Sequence, residues 1–164
     1  MGNYSSSPGA IYPALERLVV GGLIRGTVEE KSGLRRRCVY RLTGKGLAEL
    51  KRWLARPIQQ SDVMRGAGEL MLRFSFMDQV LGPAACIGFL TSFRSALTPY
   101  IAELESYLAA NISKMPLSGR LALESGILGY RSLRDWTGHA VRAYRKLQRS
   151  NSTAKPKPSK GVCL

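Results

Sequence analysis

Apolar residues in the first part of the chain recur with two different periods, and each change of period marks an element. Ile11, Leu15, Leu18 and Val19 fall at steps of three and four, so a helix over 9–20 is expected to bury that stripe. Ser5, Ser6 and Ser7 can cap its start, and Pro8 suits its first position. The opposite side carries Gly9, Pro13 and Glu16, with Tyr12 and Arg17 on the flanks. Pro13 makes this helix short or kinked, and Gly21-Gly22 stops it. A strand then begins at Leu23-Ile24, Lys31-Ser32-Gly33 turns, and residues 34–42 return as a second strand with Val39 and Tyr40. Thr43 suits the N-cap of a helix whose Leu47, Leu50 and Leu54 share one face.

The second part of the chain is helical in pattern. Arg56-Pro57 to about Asp62 reads as a junction, followed by a helix from Met64 to Gln79 with Leu70, Phe74 and Met77 on one side. Gly82-Pro83 ends it and starts another. Leu90, Phe93, Leu97, Ile101, Leu104 and Leu108 then alternate by three and four, the spacing of a coiled-coil seam. Pro99 lies inside this run and is expected to bend or split the helix, which Met115-Pro116 closes. A last helix is expected from Ser118 to Leu147, with Leu133, Trp136, Ala140, Tyr144 and Leu147 as its stripe. Ser125, Gly126 and Gly129 suggest a close approach between helices.

Charge sharpens this picture. The net charge of +14 points to an anionic partner, most simply nucleic acid. Residues 1–60 hold 11 Lys+Arg against 4 Asp+Glu, residues 61–144 hold 8 against 7, and residues 145–164 hold 6 against none. The excess therefore sits on the hairpin segment and at the far end, where 150–164 reads as a disordered basic tail. Three cysteines at scattered positions give neither a disulfide framework nor a zinc spacing, which suits a reducing cytoplasm. The longest apolar stretch, Val80 to Leu90, is too short for a bilayer, so no membrane partner is expected.

Helix, short strand, basic hairpin and capped helix in this order make a winged module. The chain resembles the PadR family of bacterial transcriptional regulators. The resemblance rests on Gly9-x-Ile11-Tyr12-Pro13-x-Leu15-x-Arg17-Leu18, Gly22-Leu23-Ile24 and Tyr40-Arg41-Leu42-Thr43-x-Lys45-Gly46. A looser likeness to the family's helical domain follows in Leu72-Arg73-Phe74-x-Phe76-Met77-Asp78 and in Leu123-x-x-Gly126, Tyr130 and Trp136. It implies a mainly α fold with a small β-hairpin: a partial winged helix-turn-helix over 1–57 and an α-helical dimerisation domain over 62–149. The family places two helices ahead of its recognition helix, and only a few residues precede that helix here. The resemblance also implies a homodimer on a near-palindromic operator in double-stranded DNA, usually as a repressor, and responsiveness to small aromatic ligands. The alternative is a protein–protein interaction module that dimerises without binding DNA itself.

Candidate contacts follow. Ser5, Ser6, Tyr12, Pro13 and Arg17 would meet DNA from the first helix, and Lys31, Arg35, Arg36 and Arg37 from the hairpin. In an extended strand Arg35 and Arg37 point one way and Arg36 the other. The dimer interface is expected at Phe74, Leu90, Phe93, Leu97, Ile101, Leu104, Leu108, Leu133 and Trp136, although such a seam is more often plain core. Trp53 and Trp136 are candidates for stacking a planar effector; the plainer reading is a packing anchor. The lone His139 has no neighbouring cysteine or acidic cluster, and no phosphate-cradling glycine loop is present, so neither a catalytic site, a metal nor a cofactor is expected.

Overall fold

The computed structural model describes residues 8–29 and 37–153. Their order is α1 (Pro8–Val20), β1 (Ile24–Glu29), β2 (Arg37–Leu42), α2 (Gly44–Ala55), α3 (Gln60–Met64), α4 (Gly68–Leu81), α5 (Pro83–Asn111) and α6 (Leu117–Thr153). They divide into two compact units. The first runs to Arg56 and includes Ala67–Phe76; the second takes Pro57–Gly66 and everything from Met77.

In the first unit, α1 stops where two orphan carbonyls find donors. Leu23 N–H donates to Leu18 O and Gly22 N–H to Val19 O, both at 2.9 Å. This pairing needs a left-handed residue just past the helix, and Gly22 supplies it with φ +67°. β1 and β2 pair antiparallel, from Ile24 opposite Leu42 to Glu29 opposite Arg37. The turn expected at Lys31-Ser32-Gly33 lies outside the described residues.

The sequence Thr43-Gly44-Lys45-Gly46 then ties the end of α1 to the start of α2. Thr43 caps α2, accepting from Gly46 N–H at 3.0 Å. Its hydroxyl also donates to Gly22 O at 2.7 Å, and its backbone N–H donates to Leu23 O at 3.0 Å. Lys45 Nζ reaches Gly21 O at 2.8 Å. A Cβ on Gly46 would overlap the Leu23 carbonyl, so only glycine lets the two backbones approach this closely.

The far end of α2 is held by a buried cation. Arg73, fully buried on α4, donates through Nη2 to Leu54 O at 2.9 Å and also to Arg56 O. Leu54 and Leu70 are the buried apolar residues of this unit. Residues 67–76, expected in the helical domain, therefore pack with the first unit, and Arg73 shows why: its donors satisfy the last carbonyls of α2.

One expectation fails here. The stripe on α1 is not buried: Ile11 and Val19 are each 42% exposed and Leu18 38%. β1 is the main element packed on α1, and a two-stranded hairpin is too narrow to cover a full helical stripe.

In the second unit α5 and α6 pair antiparallel. Cys86 meets Tyr144, Arg94 lies against Gly138, the rings of Tyr100 and Tyr130 meet edge-on at 5.1 Å, and Arg131 pairs with Glu105 at 2.8 Å. From Cys86–Tyr144 through Arg94–Gly138 to Tyr100–Tyr130, positions rise along α5 as they fall along α6. Cys86, Phe89, Leu90, Phe93, Leu97, Ile101, Ile127 and Ala140 form the core, with Val63 of α3 and Met77 of α4. The five-residue α3 is too short to leave a periodic signal; the Asp62 carboxylate accepts from Gln59 N–H at 2.9 Å and starts it.

Three further expectations change in this unit. Leu90, Phe93 and Leu97 are 0% exposed and Ile101 2% within a single chain. They are the core of the α5–α6 pair and have no surface left to offer a second copy. Pro99 does not split α5, which continues through it; Pro99 sits on the exposed side between the buried Leu97 and Ile101. Gly126 and Gly129 face open space, so neither serves a close approach within this chain.

Candidate nucleic-acid interface

The stop at Gly22 and the clamp at Thr43–Gly46 fix α1 beside the hairpin, and α1 displays exposed polar side chains as well as its apolar stripe. Tyr12 is 63% exposed, and Pro13, Glu16 and Arg17 are also on the surface. The two residues singled out as groove readers, Tyr12 and Arg17, are thus free to meet a ligand. Between α1 and the hairpin runs a groove of about 350 Å³ lined by Glu16, Val19, Val20, Gly26, Cys38 and Tyr40. On its floor a hydrogen bond with the Cys38 thiol holds the Tyr40 phenol above its ordinary range; the charges of Tyr12 and Glu16 push the same way.

The hairpin register brings together a pair that sequence reasoning missed. Arg25 of β1 stands directly opposite Arg41 of β2, and both are exposed. Like charges facing each other across an antiparallel pair are destabilising unless something anionic lies over them. The signal was present in the sequence only once the register is known, because Arg25 and Arg41 are far apart along the chain. Alternation puts Arg25, Thr27, Val39 and Arg41 on one face of the hairpin, and Gly26, Val28, Cys38 and Tyr40 on the other. Arg37 begins β2 opposite Glu29. Ser5, Ser6, Lys31, Arg35 and Arg36 lie outside the described residues.

In the second unit the interface candidates that keep accessible surface are Leu104, Leu108, Leu133 and Trp136, all half-buried. Phe74, also half-buried, belongs to the first unit. An apolar groove of about 460 Å³ runs between α5 and α6, lined by Leu108, Ala109, Ile112, Ile127 and Leu128 with Glu105, Glu124 and Arg131. Trp53 on α2 and Trp136 on α6 are half-buried, and neither lines it. Among the described residues no cluster of His, Cys, Asp or Glu is arranged to hold a metal, and no helix is long and apolar enough to cross a membrane.

Residues 1–52 match the model of the transcriptional regulator PadR-like family. This first part of the chain is PadR-like. The matched segment takes in α1, the hairpin and the first turns of α2, so the clamp between Gly21 and Gly46 lies wholly within the PadR-like part. Among solved structures, the chain is similar to Bacillus subtilis PadR in complex with operator DNA, at 21% identity and TM-score 0.42, covering 87% of this chain and 80% of that one. It is similar to smu.1604c from Streptococcus mutans UA159 at 19% identity and TM-score 0.39, covering 85% and 81%. The PadR-like transcriptional regulator BC1756 from Bacillus cereus stands at 17% identity and TM-score 0.39, covering 86% and 78%. No curated protein matches the chain.

Proposed function

We propose that this PadR-like protein is a DNA-binding transcriptional regulator of the bacterial cytoplasm, acting as a homodimeric repressor. In this reading α1 enters the major groove, with Tyr12, Pro13 and Arg17 toward base edges, and the hairpin grips the backbone. The observation that carries it is the pairing of exposed Arg25 and Arg41 on the hairpin face turned away from the α1 groove, together with an α1 whose Tyr12 and Arg17 are also exposed. Two opposed guanidinium groups are costly alone and favourable against phosphates, where each neutralised phosphate releases a counterion. The wing residues Lys31, Arg35, Arg36 and Arg37 would extend the same grip, and Ser5 and Ser6 would add contacts near the start of α1.

Two copies would pair through the second unit, using Leu104, Leu108, Leu133 and Trp136, so that two α1 helices reach successive half-sites of a near-palindrome. A planar effector stacked on Trp53 or Trp136 would act by changing that spacing.

Gel shifts over a salt series, against the DNA upstream of the protein's own gene, test this. Specific retention that outlasts retention of unrelated duplex is the expected result. Equal release of every sequence as salt rises overturns it.

The exposed stripe of Ile11, Leu18 and Val19 favours a second reading, an interaction module without DNA binding of its own. A chain that retains no duplex yet pairs with another PadR-like protein supports that reading instead.

A further inference from the structure

The last helix carries a second basic surface, separate from α1 and the hairpin. Arg142, Arg145, Lys146 and Arg149 follow one another at i, i+3, i+4 and i+7, which places them on one face of α6. All four are exposed. No acidic residue follows Asp135 anywhere in the sequence. The carboxylates around this part of the second unit are engaged elsewhere: Asp78 of α4 bonds the Tyr144 phenol on the side turned toward Cys86, Asp135 pairs with Arg134, Glu124 with Arg120 and Glu105 with Arg131. Among the described residues, neither Arg94, Arg142, Arg145 nor Lys146 takes part in any of these ion pairs.

A separate observation concerns Arg94 of α5. Its guanidinium lies over Gly138, so close that a Cβ at 138 would overlap Arg94 Nη1, and the same point is 3.6 Å from Arg142 Nη1. Gly138 is buried while Arg94 and Arg142 are exposed. Position 138 therefore acts as a notch in which two guanidinium groups from different helices converge, with no ion-pair partner for either among the described residues. Like charges brought this close repel, and an external anion removes the penalty.

We infer that the face formed by Arg94, Arg142, Arg145 and Lys146 is a second binding surface for the phosphate backbone of duplex DNA, contributed by the helical unit. The four positions from 142 to 149 extend about 10 Å along the helix, enough to follow several phosphates of a polyanion with one charge per ~1.7 Å. Such contacts position and tighten; they do not read sequence. An anionic membrane is disfavoured because Ala140 and Tyr144 are turned toward α5, which leaves Leu147, 46% exposed, as the single large apolar side chain between residues 140 and 149 on the surface, too little to anchor a helix in lipid. The inference rests on the DNA-binding reading above and gives the helical unit a direct share in it.

The test uses the full chain and fluorescence anisotropy with a long duplex of random sequence over a salt series. The triple variant Arg142→Gln, Arg145→Gln, Lys146→Gln is compared with the wild type and with the hairpin variant Arg25→Gln, Arg41→Gln. All five residues are exposed, so neither variant should unfold at a lower temperature than the wild type, and removing the Arg25–Arg41 repulsion should raise that of the hairpin variant slightly. The expected result is a salt slope lower by roughly 3 in the triple variant, near 0.9 for each lost cation, with weaker binding at low salt. Arg94→Gln should lower it by about 1 more. A triple variant with the wild-type slope overturns the second surface and leaves the hairpin reading standing. Loss of slope in the triple variant alone, with the hairpin variant unchanged, supports the second surface and overturns the hairpin reading. Wild-type chain that retains no duplex at any salt overturns both. Equal capture by phosphatidylserine vesicles, abolished in the triple variant while duplex binding persists, would assign the face to lipid and overturn the inference.

Discussion

Gly46 lies directly beneath the carbonyl of Leu23, and a methyl group at position 46 would overlap that oxygen. The obstacle is backbone, so no rotamer change relieves it. Gly46→Ala must separate the start of α2 from the end of α1, at a cost of about 1–3 kcal/mol or more, as for overpacking elsewhere. That predicts a fall in Tm of roughly 2–4 °C per kcal/mol, read by circular dichroism. Thr43→Ala, which loses only the cap, should cost about 1 kcal/mol. Equal Tm for Gly46→Ala and wild type would mean that the two backbones are further apart than described.

Arg73 is the fastening at the other end of α2. Its guanidinium is the donor for Leu54 O and Arg56 O. Arg73→Met keeps most of the volume and removes both hydrogen bonds, so a loss of about 2–3 kcal/mol is expected, the range for bonds to charged groups. Urea unfolding followed by far-ultraviolet dichroism measures it. A neutral result would show that water satisfies those carbonyls.

Core and interface separate by substitution along α5. Leu97 is fully buried, so Leu97→Ala should cost about 2–5 kcal/mol of folding stability whatever the oligomeric state. Leu108 is half-buried at the apolar groove. Leu108→Asp should leave the monomer folded and shift sedimentation toward single chains. A variant that still sediments as the wild type does would move the pairing surface elsewhere.

Alkaline pH should loosen the second unit. Burial raises the Cys86 thiol above its ordinary 9.0, and the bond from Tyr144 opposes this only in part. Burial, then that same bond, raises the Tyr144 phenol above its ordinary 10.0. The folded state therefore holds both protons longer than the unfolded state does. This contribution to stability is complete below about pH 9 and is lost as pH rises toward the raised values. Tm measured between neutral and alkaline pH should fall, and Tyr144→Phe should make the fall shallower. An unchanged slope in Tyr144→Phe would remove that tyrosine from the effect.

On α1, Tyr12→Ala and Arg17→Ala alter exposed side chains and should change stability by no more than ~0.5 kcal/mol. If they read base edges, each should weaken operator binding and narrow its margin over random duplex by about 1–3 kcal/mol. Equal weakening on all sequences would assign them to phosphates instead.

The hairpin, the stop at Gly21-Gly22 and the Thr43 cap were legible because each depends on local chemistry. The burial of the apolar stripes was not. Ile11, Leu18 and Val19 have the spacing of a covered face, but spacing cannot say how wide the covering element is. Leu90 to Ile101 have the spacing of an interface between chains, yet α6 folds back and fills that role. Arg25 opposite Arg41, and Arg94 above Gly138, arise from register and from antiparallel packing of α5 on α6. Neither relation leaves a mark in the order of residues along the chain.

The carbonyls of Gly21, Gly22 and Leu23 are shared between the helix they end and the helix that follows Thr43. Such a joint has no slack. Movement of α2 would have to break these bonds or carry the end of α1 with it.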